Sequence, residues 1–132
     1  MKLVFIITAL LMTVINFSQA HEGHNKTPGS QSAPHGGQIK GTDHLYLELV
    51  SSQTGFKLYP LDHDMKAIPV KDVKVSATMS LPKKSKTEVI ALTPEADAFV
   101  AVVDAKGAHR YIVNLTLTHE GKTEKIKFNV EP

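Results

Sequence analysis

Over most of its length this chain alternates apolar and polar residues one for one, which is the period of a strand with one face buried and one exposed. "HLYLELV" sets Leu45, Leu47 and Leu49 on one face and His44, Tyr46 and Glu48 on the other. "VKVSATMSL" turns Val73, Val75, Ala77, Met79 and Leu81 inward, with Lys74, Ser76, Thr78 and Ser80 outward. "YIVNLTLT" and "KIKFNV" repeat the pattern through Tyr111, Val113, Leu115 and Leu117, then Ile126, Phe128 and Val130. "FKLYPL", "TEVIAL" and "AFVAVV" are three shorter candidates, and Pro60 argues that the first of these lies at a sheet edge.

Turn-forming residues punctuate these runs at Ser51–Gly55, Asp62–Pro69, Pro82–Ser85 and Asp104–Gly107, and "HEGK" at 119–122 reads as a short hairpin loop. No segment sustains a helical period, though "TPEAD" at 93–97 suits one helical turn, with Thr93 as cap and Pro94 in first position. About seven short strands predict an all-β, immunoglobulin-like β-sandwich over residues 43–132. With no cysteine and no tryptophan, it would lack the antibody-type core.

The start of the chain reads differently. After Met1-Lys2, "LVFIITALLMTVINF" is apolar and "SQA" ends in small residues, the pattern of a signal peptide over residues 1–20 cleaved after Ala20. The apolar run of about 15 residues is short of the roughly 20 that span a membrane. The expected product is a periplasmic chain beginning at His21, with no membrane attachment once the leader is removed. Residues 21–42, rich in His, Gly, Pro and Ser, read as a flexible tail too polar to fold alone.

With 15 basic and 13 acidic residues the formal net charge is +2, and removal of Lys2 brings it closer to neutral, so nothing marks a nucleic-acid partner. There is no Cys nucleophile, no G-x-S-x-G, no phosphate-binding glycine loop and no H-E-x-x-H, and no spacing selects a triad. The reading is non-enzymatic.

Histidine is the one chemical excess. Four of the seven histidines, His21, His24, His35 and His44, fall between residues 21 and 44. As mature N-terminus, His21 could chelate an ion through its α-amine and ring, with His24 adding a third nitrogen. In "LDHDM", Asp62, His63 and Asp64 offer oxygen, nitrogen and oxygen donors within one turn, although Asp-rich turns are also ordinary β-turn chemistry. Without cysteine, any metal must use imidazole, carboxylate, thioether, backbone or water. A methionine-rich site is not supported, because Met79 lies on a core face. His109 and His119 are expected at the surface.

"PHGGQIKGTDHLYLELV" followed by "FKLYPLDHDMKAIPV" resembles the opening of small bacterial periplasmic His-Gly-Gly domains, which occur alone or joined to adaptor subunits of resistance-nodulation-division metal-efflux pumps. The matching positions are His35, Gly36, Gly37, Glu48, Asp62 and Pro69. Members of that group often carry a histidine two residues before the Glu; here Tyr46 stands there and His44 lies two further back. The resemblance implies heavy-metal handling and, as a partner, a periplasmic component of an efflux pump.

These features predict periplasmic binding of a divalent transition metal ion, Cu, Zn, Ni or Co with copper or zinc favoured, as a buffer, carrier or efflux accessory. Neutral imidazoles would bind near neutral pH and release below about pH 6. The main site is expected from His35 and His63 with Asp62 or Asp64, His44 as a further ligand, and the His21/His24 pair as a lesser one. Glu48 is expected to be structural. The alternative is a secreted immunoglobulin-like interaction module whose histidines are incidental.

Overall fold

A computed structural model describes residues 32–132. The leader predicted over residues 1–20, His21 and His24 lie outside them. The described chain forms nine strands and one 3-10 turn. The strands are β1 (Gln38–Gly41), β2 (Tyr46–Ser52), β3 (Gly55–Leu61), β4 (Val73–Ser80), β5 (Thr87–Ile90), β6 (Thr93–Glu95), β7 (Ala98–Val102), β8 (Tyr111–His119) and β9 (Lys122–Val130), with the 3-10 turn at Val70–Asp72 before β4.

Two antiparallel sheets result. Sheet A has the order β1-β2-β3-β7-β6 and sheet B the order β5-β4-β8-β9. Their inner faces share one core, in the arrangement of a β-sandwich. Leu47, Leu49, Phe56 and Leu58 come from sheet A, and Ala77, Met79, Val113, Leu115, Leu117 and Phe128 from sheet B. The alternation therefore selects the buried face as the sequence predicts, and all seven expected strands are present.

Three details differ from the sequence reading. Residues 38–41 pair with β2, so the sheet begins inside the segment read as tail. Thr93–Glu95 is not a helical turn but an edge strand paired to β7, where Pro94 leaves no neighbour short of a donor. β3 is not an edge strand, because β2 and β7 flank it. Its pairing to β7 ends at Leu58–Phe99, however, so Pro60 lies beyond β7's reach. There the Pro60 carbonyl accepts the Ile68 amide at 2.9 Å, on the side where the missing N–H would have pointed.

The turns explain themselves. β8 and β9 are joined by Glu120 and Gly121, at φ 49° and 77°, the left-handed pair of a tight hairpin turn. Between β1 and β2, the Thr42 hydroxyl accepts the amides of His44 and Leu45 at 3.2 and 3.1 Å, which holds a four-residue reversal.

β1 also reaches the other sheet. Gln38 Nε2 donates to the Asn129 carbonyl at 3.1 Å, and Lys40 Nζ donates to the Lys127 carbonyl at 2.6 Å. Both acceptors lie on β9, the free edge of sheet B. At the surface, Lys106 Nζ sits 2.6 Å from Glu88 Oε1 and holds that carboxyl below its usual range, while Glu88 holds the Lys106 ammonium above its own.

Candidate functional site

Glu48 sits mid-strand in β2 with parity opposite to Leu47 and Leu49, so its side chain leaves the core on the outer face of sheet A. It is nevertheless fully buried, at 0 % exposure. A buried carboxylate is costly unless its oxygens are satisfied. Here the segment just before β1 satisfies them. Oε1 accepts the amides of His35 and Gly37, both at 2.8 Å, and Oε2 lies 2.8 Å from His35 Nδ1.

The two glycines make this approach possible. Gly36 has φ +75°, a conformation other residues adopt only at a cost, and its amide bonds the Ala33 carbonyl at 3.1 Å to close the turn. Gly37 runs against the backbone of β2, where a Cβ would stand 2.4 Å from the Leu49 carbonyl oxygen. One glycine reverses the chain and the other lets it lie close enough to reach Glu48.

The His35 ring is held on a second side. It stacks on Tyr59 with centroids 3.6 Å apart and planes 10° from parallel. Tyr59 is the cross-strand partner of Glu48, so neighbouring strands carry both supports. About a third of the imidazole remains exposed (33 %). With Glu48 ionised and the imidazole neutral, Nδ1 carries the proton of the shared bond and Nε2 the lone pair. Metal-binding imidazoles commonly donate their other ring N–H to a carboxylate in this way, which fixes the ring's tautomer and orientation.

The other predicted ligands are distributed as follows. β2 and β3 do pair as a hairpin, so the β1–β2 turn with His44 and the loop after β3 with Asp62, His63 and Asp64 lie at one end of sheet A. His63 packs edge-on to Tyr46, with centroids 5.3 Å apart. Tyr46 and Glu48 share the outer face about 7 Å apart along the strand, which puts His63 and His35 on the same face. Asp62 Oδ1 accepts the amides of Asp64 and Lys66 at 2.8 and 2.9 Å and so serves the turn. Among the described residues, no three His, Asp or Glu side chains form a group that could hold a metal ion. His109 is exposed, whereas His119 is half-buried at the end of β8, with its Nδ1 buried and unpartnered among the described residues.

Tyr59 and the Glu48–His35 bond were not anticipated. A cue was present: a Glu in the middle of an apolar strand needs a cover, and "HGG" is a segment able to lie flat on a sheet.

No protein-family model, curated protein or solved structure matches the chain.

Proposed function

We propose that this protein is a non-enzymatic periplasmic domain that binds a divalent transition metal ion, with His35 Nε2 as the anchoring ligand. The observation that carries the reading is the 2.8 Å contact between His35 Nδ1 and buried Glu48. It supports an imidazole of fixed tautomer, fixed orientation and partial exposure. His63, on the same face, is the next ligand in this reading. Asp62 Oδ2, which has no hydrogen-bond partner among the described residues, comes with Asp64 and His44 from the adjoining end of the sheet. An imidazole-led donor set without thiolate suits Cu(II), Zn(II), Ni(II) or Co(II). Metal and proton compete for the Nε2 lone pair, so acid releases the ion. A buffer, a carrier and an accessory to an efflux pump all use that exchange.

The immunoglobulin-like assignment belongs to the same proposal, and strand order supports it. With β1 set aside, β2-β3-β7-β6 follows the A-B-E-D order of that fold, and β4-β8-β9 follows C-F-G with β5 beside C.

Calorimetry and native mass spectrometry of the chain from His21 onward, with each of the four metals, test the function. One-to-one binding below micromolar is expected for at least one metal. His35→Ala should weaken it at least tenfold, about 1.4 kcal/mol. Glu48→Gln should weaken it roughly 10- to 100-fold. Its amide would face Nδ1 as a donor, move the ring proton to Nε2 and remove the ligand lone pair. Binding unaffected by either change overturns the reading.

A further inference from the structure

The outer face of sheet B has a one-sided chemistry. The register aligns Lys74, Thr118 and Thr123 in one row, Ser76, Thr116 and Lys125 in the next, and Thr78, Asn114 and Lys127 in a third. Ser80, Ile112 and Asn129 make the fourth row. β5 adds Val89 to the third row and Thr87 to the fourth, and the fourteen positions hold three lysines, nine hydroxyl or amide side chains, the apolar Ile112 and Val89, and no carboxylate. Glu88 on β5 and Glu124 on β9 pair with the inward-facing Met79 and Leu117 and so have the opposite parity, and Asp72, Glu120 and Glu131 lie past the strand ends. None of the three lysines forms an ion pair among the described residues.

This is not what a merely solvated face requires. Opposite charges across strands stabilise a sheet, and the chain carries 13 acidic residues to 15 basic ones from which to make such pairs. Instead each lysine faces a hydroxyl or amide. Lys125 and Lys127 are two residues apart, about 7 Å along the strand, which is inside the Debye length of about 8 Å at physiological salt. Their fields therefore add. Lys74 lies about 12 Å from Lys125, across two strand spacings and one row, beyond one Debye length, and supplies a separate positive charge on the same face. Lys125 and Lys127 line a groove of about 490 Å³ together with Ser76, Thr78, Asn114 and Thr116.

We propose that this face binds an acidic polysaccharide. The ammonium groups match a chain of repeated negative charges, and the hydroxyl and amide rows match its sugar hydroxyls. The face carries no aromatic ring, and single-stranded nucleic acid is usually held by stacking on such rings. Charge complementarity together with hydroxyl-rich bonding thus selects a carbohydrate polyanion. The surface lies on the opposite sheet from His35 and does not depend on the metal-binding reading.

The test uses the chain from His21 onward and polygalacturonate as probe, with neutral dextran and single-stranded DNA as comparisons, at two salt concentrations. Measurable, salt-sensitive binding to polygalacturonate is expected, with none to dextran. The K74E/K125E/K127E variant should lose at least tenfold in affinity. K83E/K84E/K86E, which reverses as many charges in the β4–β5 loop, should stay within twofold. Milder K74Q/K125Q/K127Q should fall in between, and thermal melts establish that each variant is folded. The proposal is overturned by absence of polygalacturonate binding, by equal binding to dextran, by tighter binding to DNA, or by an equal loss in the loop variant.

Discussion

The imidazole of His35 lies flat on the phenol ring of Tyr59, 3.6 Å between centroids. A stacked pair of this kind contributes about 1 kcal/mol beyond the area it buries. Tyr59→Leu should therefore lower stability by about that much. It should also remove the ring-current shift from the His35 ring protons, which proton NMR reads directly. An unchanged His35 shift would show that the stack does not hold the ring in solution.

Glu48 is a stronger constraint than Tyr59, because three donors from residues 35–37 converge on it. Glu48→Leu matches its bulk but leaves those donors without their acceptor. Unsatisfied buried donors cost about 1–3 kcal/mol each, so urea melts should show a loss of at least about 2 kcal/mol. Resonances of residues 35–37 should broaden or shift in the same variant.

The two glycines of the turn should respond differently to alanine. At Gly36 there is open space, and the penalty is the positive φ alone, about 1 kcal/mol. At Gly37 the added methyl meets the backbone of Leu49, which cannot move aside without disturbing β2. Gly37→Ala should thus be the more destabilising of the two in parallel denaturant melts. The reverse order would mean that the segment does not lie against β2.

Tyr111 is 1 % exposed and its hydroxyl has no hydrogen-bond partner among the described residues. Tyr111→Phe deletes that unmet group and should leave stability unchanged or raised by up to about 1 kcal/mol. Burial pushes the Tyr111 phenol up from its ordinary value. A raised folded value means that stability is intact below the unfolded value of about 10 and is lost as pH climbs from there through the folded one. The melting temperature of the parent should accordingly fall faster than that of Tyr111→Phe above about pH 10.

The seven main strands were legible in the sequence because each has one face in the core, and Leu47, Val113 or Phe128 could not alternate with polar residues for any other reason. β1 was not legible. "QIKG" offers a single apolar residue, and its inward positions are Gln38 and Lys40, whose value lies in what they reach on β9. At Thr93 the local cap-and-proline signal competed with pairing to β7, and pairing won. The site was half legible. Periodicity states which face Glu48 occupies but not what covers that face. The cover comes from thirteen residues away, through a turn whose path only the folded chain defines.

The bonds from Gln38 and Lys40 to β9 span 91 and 87 residues of sequence. They occupy two carbonyls on an edge strand nine residues long, acceptors that a neighbouring molecule would otherwise use to add a strand of its own. They also set an order of assembly. The acceptors belong to β9, so residues 38–40 cannot be latched until β9 has emerged and paired with β8. During synthesis from the N-terminus, residues 38–40 emerge first and are fastened last. Damage to β9 would therefore be felt at the far end of the sequence, where the turn carrying His35 begins.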